Sequence, residues 1–258
     1  MRVPFLQVLG GRVILCGWLN LARDFQPGAV IAAGIPLGVF ICLRLIGFSP
    51  VILELIPYTY MLLLTCSIVM LSALCEVMII CLLVCDPGFA ASAVDEKAHY
   101  CPVCRLHVRD FDHHCGIIGA CIGERNMGFF LLFLTSVSLL LWLNAFFGSL
   151  LLWRWILEVV PGSSLKEMLL VVLKKEWWLA SKMRPFTMAV VFFSSYGALY
   201  SSGMGILYWF YLCRGMYSLE RRRRPLLRGR ASTVFEYIWI PQLTGTALKR
   251  MAPGQDAV

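Results

Sequence analysis

Long apolar runs separated by short polar segments set the plan of this chain. Four runs approach or exceed the roughly 20 residues a helix needs to cross a bilayer core: about 29 to 49, 58 to 84, 128 to 153 and 186 to 213. Arg44 sits near the end of the first and Glu76 in the later half of the second. Residues 1 to 27 place Arg2, Arg12 and Arg23 among Leu, Val and Trp18, a partly amphipathic pattern suited to a membrane surface. Between the third and fourth runs, Pro161-Gly162 precedes a mixed stretch around Lys174, Lys175, Trp177 and Trp178. That stretch is too charged and too short for a fifth span, and its tryptophans read as an interface belt. The pattern predicts an all-α integral membrane protein with four transmembrane helices and a polar loop between the second and third. Its parts are 1–84 (N-terminal segment and helices 1 and 2), 85–127 (Cys/His loop), 128–213 (helices 3 and 4 with a luminal loop) and 214–258 (basic tail).

Composition agrees with that plan. The 258 residues are 59% hydrophobic and 15% charged, with a mean hydropathy of +0.76, far from a soluble domain. The net charge of +8 matters through its placement. Segments 1–28, 85–127 and 214–258 together hold sixteen Lys and Arg, against six in 154–185. The positive-inside rule then puts both termini and the Cys/His loop in the cytosol. Arg221 to Arg224 directly follow a span and no nucleic-acid signature accompanies them, so the expected partner is an anionic bilayer leaflet and not a nucleic acid. Gly10, Gly11 and Arg12 interrupt the first apolar stretch, so no cleaved leader is expected. A channel or transporter is disfavoured, since no internal repeat or pair of broken helices is evident.

Candidate chemistry is confined to one place. All four histidines (His99, His107, His113, His114) lie within sixteen residues, beside Cys101, Cys104, Cys115 and Cys121. Cys101-x2-Cys104 followed by His114 and Cys121 has the spacing of a four-ligand zinc site, and Gly116, Gly119 and Gly123 allow the later segment to bend back. With little apolar mass of its own, the loop is expected to depend on one zinc ion for its fold. That leaves Cys115 as a nucleophile, with His113 as its base and Asp112 holding the imidazole. Spacing alone equally allows His113 on zinc with His114 as the base. A regular strand or helix is not expected to bring neighbouring residues together in this way; a metal-pinned loop is. A cytosolic thiolate held against a bilayer suits a long-chain acyl-CoA such as palmitoyl-CoA, whose thioester it could attack, passing the acyl group to a cysteine of a membrane-associated protein.

The block Cys101 to Asn126, CPVCRLHVRDFDHHCGIIGACIGERN, resembles the DHHC protein S-acyltransferases, the palmitoyltransferases. Asp86-Pro87-Gly88 and Ser232-Thr233-Val234-Phe235-Glu236 resemble two further family elements, with Val234 where a second threonine is usual. The resemblance implies Cys115 as the acylated residue, assisted by His113 and Asp112, and Cys101, Cys104, His114 and Cys121 on zinc. It places Thr233 and Glu236 near that site. The expected location is an endomembrane, the endoplasmic reticulum or Golgi. Departures mark a divergent member with a shortened finger. Residues 86–100 lack a cysteine pair, and Tyr100 and His107 stand where a second zinc would have a histidine and a cysteine, so one ion is expected. Gly116-Ile117-Ile118-Gly119-Ala120 replaces the usual Pro-Trp-Val-Asn-Asn. These departures motivate the alternative of a non-catalytic, zinc-stapled membrane adaptor.

Overall fold

The structure is a computed structural model that describes residues 6–9, 12–15, 19–22, 24–43, 57–90, 98–159 and 185–216. In chain order, three strands β1 (Leu6–Leu9), β2 (Arg12–Leu15) and β3 (Leu19–Ala22) precede helices α1 (Gln26–Cys42) and α2 (Tyr58–Val84). Four strands follow, β4 (Ala98–Cys101), β5 (Leu106–Arg109), β6 (His113–Cys115) and β7 (Ala120–Ile122), and then α3 (Met127–Val159) and α4 (Pro185–Cys213). Tyr58–Val84, Met127–Trp155 and Phe186–Cys213 are each long and apolar enough to cross a membrane, while Gln26–Ile41 is apolar but shorter. The rest of the first predicted span, with Arg44, lies outside the described residues. So do the Trp177–Trp178 stretch and most of the basic tail, with Thr233 and Glu236.

The all-α expectation is corrected: among the described residues the chain is mostly helical with seven short strands. The segment read as an amphipathic surface piece contains a three-stranded antiparallel meander. Leu9 pairs with Arg12, so only Gly10 and Gly11 separate β1 from β2, a composition that two-residue hairpin connections favour. The Cys/His loop is built of two antiparallel hairpins, β4–β5 and β6–β7.

The described residues fall into two compact units, those within 1–35, 74–134 and 204–258 in one and those within 36–73 and 135–203 in the other. The first contains the loop. Its main core joins the end of α2 (Ile79, Leu82), the loop (Ile118, Ile122), the start of α3 (Met127, Leu131) and the end of α4 (Tyr208, Leu212). A smaller core holds Phe89, Leu106, Val108 and Phe111 together with the thiols of Cys101, Cys104 and Cys121. The finger thus has apolar mass that the sequence reading did not credit to it.

Side chains tie the loop to the helices on both sides. Pro87 cannot continue α2, and the buried Asp86 accepts from the Gly88 and Phe89 amides, both at 2.8 Å, and from Arg125 at 3.1 Å. At the start of α3, the fully buried Asn126 accepts from the Gly123 amide at 2.9 Å and donates to the Cys121 carbonyl at 2.8 Å. Its own carbonyl takes the first helical bond, from Phe130 at 3.1 Å.

In the second unit, α3 and α4 meet through small residues and hydroxyls. Gly148 lies against Val191, and Ser138 donates to Ser201 at 2.9 Å. Trp142 donates to Ser202 at 3.0 Å. Interhelical bonds of this kind contribute about 0.6 to 2 kcal/mol each in a lipid environment. Leu62, Leu63, Met70, Phe146 and Phe193 point outward, which suits a hydrocarbon surround better than water.

Candidate active site and metal site

Strand periodicity, which the sequence reading set aside, is what sorts the Asp112–Cys115 run. β6 pairs with β7 in the register His113↔Ile122, His114↔Cys121 and Cys115↔Ala120. Successive side chains on a strand point to opposite faces. His113 and Cys115 therefore share one face, and His114 joins Cys121, its cross-strand partner, on the other. A three-residue strand separates the metal ligand from the His113–Cys115 pair by alternation, and Asp112 joins that pair from the residue before the strand.

On the His114 face, ligand atoms of Cys101, Cys104, His114 and Cys121 all lie within 4.8 Å of one another. Nδ1 of His114 is 3.5 Å from the sulfurs of Cys104 and Cys121 and 3.8 Å from that of Cys101. Zn–S bonds of about 2.3 Å and Zn–N bonds of about 2.0–2.1 Å give tetrahedral edges of about 3.6 Å between N and S and about 3.8 Å between sulfurs. The nitrogen–sulfur separations fit. Cys121 and Cys104, at 3.3 Å, need to part by a few tenths of an ångström. The turn 102–105 is shaped for a metal: the Cys104 amide points at the Cys101 sulfur at 3.4 Å, and Arg105 takes a positive φ of 54°. Hydrogen bonds from Cys104 and Cys121 favour the Cys101 thiolate, whereas those to Cys101 and Cys104 push the Cys121 thiol up. A divalent cation at the centre removes that conflict by letting all three sulfurs ionise. Four protein ligands leave no open position, the arrangement of a structural zinc. Among the described residues this is the one Cys/His/Asp/Glu group close enough to hold a metal. His99 stacks on Phe111 at 5.3 Å and His107 packs on Tyr100 at 5.2 Å.

On the opposite face lie His113 and Cys115; Asp112, the residue before the strand, has a side chain 1% exposed and accepts from His113 Nδ1 at 2.7 Å. The Tyr208 hydroxyl of α4 donates to the same oxygen at 2.7 Å. Phe130 of α3 meets the His113 ring edge-on at 5.5 Å. Burial works against protonation of His113, yet its hydrogen bonds to Asp112 and Cys115 raise it to about 9. Burial likewise works against the Cys115 thiolate, but the His113 bond and the backbone N–H groups of Ile118 and Ile117 outweigh it, so the thiol lies below its ordinary value. The arrangement favours a thiolate–imidazolium pair, a nucleophile beside a proton carrier.

Two participants escaped the sequence reading. Tyr208 lies 96 residues from Asp112 in a helix full of aromatics, and nothing local marks it. Asp24 lies 90 residues from His114, whose Nε2 it accepts from at 2.7 Å. Its only signal was an acidic residue just ahead of an apolar run.

Helices long enough to span a bilayer, a closed Cys/His cluster and an Asp-His-Cys set beside it together describe a membrane-type protein with a metal-braced thiol site. Residues 89–224, more than half of the chain, match the DHHC palmitoyltransferase family, and the chain belongs to it. Among its relatives, it is 42% identical to palmitoyltransferase pfa3 of Emericella nidulans over 60 residues, 23% of this chain and 11% of that protein. Over 44 residues it is 43% identical to palmitoyltransferase ZDHHC7 of Mus musculus (17% of this chain, 14% of that protein) and 48% identical to palmitoyltransferase ZDHHC9 of Bos taurus (17% and 12%). The matched segments thus span a small part of these relatives' length.

Proposed function

We propose that this protein is a protein-cysteine S-acyltransferase that carries a palmitoyl-type chain from acyl-CoA to protein cysteines through an acyl-Cys115 intermediate. The observation that carries the reading is the His113–Cys115 pair on one face of β6, with Asp112, just ahead of the strand, bonded to His113 and the thiol held below its ordinary value.

In the first half-reaction, the Cys115 thiolate attacks the carbonyl carbon of the thioester. A new C–S bond forms, the bond to the CoA sulfur breaks, and the His113 imidazolium gives its proton to the departing CoA thiolate. In the second, His113, now neutral, takes the proton of an incoming protein cysteine. That thiolate attacks acyl-Cys115, the acyl group moves to it, and Cys115 leaves as a thiolate beside the re-formed imidazolium. Asp112 holds Nδ1 of His113, which leaves Nε2 for the thiol. Tyr208 acts as a positioning residue by fixing the Asp112 carboxylate.

Cys101, Cys104, His114 and Cys121 hold zinc in this reading. When bound, zinc supplies no reacting bond, only a fixed backbone for β6 and β7. Helices α2, α3 and α4, with the first apolar run as a fourth span, form the membrane part, with the loop and both termini on the cytosolic side of an endomembrane, where long-chain acyl-CoA and membrane-associated protein substrates meet.

A pre-steady-state measurement tests the reading. Mixing the purified protein with palmitoyl-CoA should release a burst of about one CoA per chain, and Cys115→Ser should show none. Equal CoA release by the two proteins would reject the covalent route.

A further inference from the structure

We infer that Asp24, just ahead of α1, is a positioning residue for the metal site: its carboxylate holds His114 so that Nδ1 faces the three sulfurs. The inference rests on reading Cys101, Cys104, His114 and Cys121 as a zinc site, and on three observations of the N-terminal segment. First, His114 Nε2–H donates to Asp24 Oδ2 at 2.7 Å while Nδ1 lies 3.5 to 3.8 Å from the sulfurs. An imidazole can offer a lone pair at only one nitrogen when the other carries hydrogen, so an acceptor at Nε2 selects the tautomer that the metal needs. Second, Gly119 has φ +75° and lies so close to the Asp24 carbonyl that no side chain fits between them. Third, Gly28, one turn into α1, has the same relation to the Ile118 carbonyl. Two glycines, one on each partner, thus let segment 24–28 lie directly on the loop 118–119.

Asp24 is 40% exposed on its side chain and His114 only 10%, so the carboxylate reaches the ring from the solvent edge of the cluster. The contact links the start of α1 to a loop about 90 residues later. It gives the metal site a support from outside the finger.

The test measures zinc release from full-length protein in detergent, with a chromogenic chelator in excess and no acyl-CoA present. Carboxylates that orient a histidine ligand typically change metal affinity by about 10- to 100-fold. Asp24→Ala is expected to speed release by that factor. Asp24→Asn, whose amide oxygen can still accept, should stay within a few-fold of wild type. The decisive arm uses His114→Cys, which keeps four ligands but has no ring to orient. In that background Asp24→Ala should change nothing. Release from Asp24→Ala within twofold of wild type would overturn the inference while leaving the metal site standing. An equally large effect of Asp24→Ala in the His114→Cys background would also overturn it, making Asp24 a general brace of the loop. A wild-type protein without zinc would overturn both. Acyl loading plays no part in these readouts, so failure of the proposed activity is separately visible.

Discussion

Replacing Asp112 by Asn separates the chemistry from the metal more cleanly than any other single change. The two side chains are nearly isosteric, and Asp112 itself is almost fully enclosed, so packing is conserved. What goes is the charge that accepts from His113 and from Tyr208, each at 2.7 Å. A hydrogen bond to a charged group contributes about 1.5–3 kcal/mol. At 1.36 kcal/mol per decade this corresponds to roughly a 10- to 150-fold slower loading of Cys115. Rotation of the amide to point its NH2 at Nδ1 would place the imidazole proton on Nε2, the wrong tautomer, an error that costs up to about 10⁴-fold in related triads. The assay is single-turnover transfer of labelled palmitoyl-CoA to the protein, read beside zinc content per chain. The account expects slowing of at least 10-fold with zinc unchanged. Loading within threefold of wild type would refute the role given to Asp112, and loss of zinc in the variant would assign it to the loop's fold instead.

Other expectations follow from the same geometry. Alkylation of Cys115 by iodoacetamide should show a pH midpoint below the ordinary cysteine range, because thiolate is the reactive form and its partners favour it; His113→Ala removes one of those partners, leaves burial to act, and should move the midpoint up. An unmoved midpoint would contradict the His113–Cys115 bond. Cys104→Ala takes one of four ligands, so zinc per chain measured by elemental analysis should fall from about one toward zero, and the finger should become sensitive to trypsin at Arg105 and Arg109. Tyr208→Phe leaves Asp112 and His113 paired but drops a hydroxyl, and should slow loading by about 3- to 30-fold without changing zinc content.

How far the sequence revealed this arrangement depends on how local each feature is. α2 and α4 were legible almost to the residue because apolar length is a property of contiguous sequence. The Cys101–Cys104 knuckle and its partners His114 and Cys121 were legible because metal ligands need fixed residue types at short spacing. Spacing alone did not choose between His113 and His114, and only the family resemblance put His114 on zinc. The physical reason lies in a strand of three residues, too short for periodicity to register, whose register pairs His114 with Cys121. The β1–β3 meander was missed for a related reason: four-residue strands among arginines and leucines look like a weak amphipathic helix. Tyr208 and Asp24 act across 96 and 90 residues, and contacts at such separations leave no trace in local pattern.

The central claim is that β6 aims Cys115 at a thioester. The most direct measurement is site-resolved mass spectrometry of the zinc-loaded protein after exposure to palmitoyl-CoA, with and without hydroxylamine. A palmitoyl adduct is expected on the Cys115 peptide, and hydroxylamine should remove it. A zinc-loaded protein whose Cys115 peptide stays unmodified would contradict it.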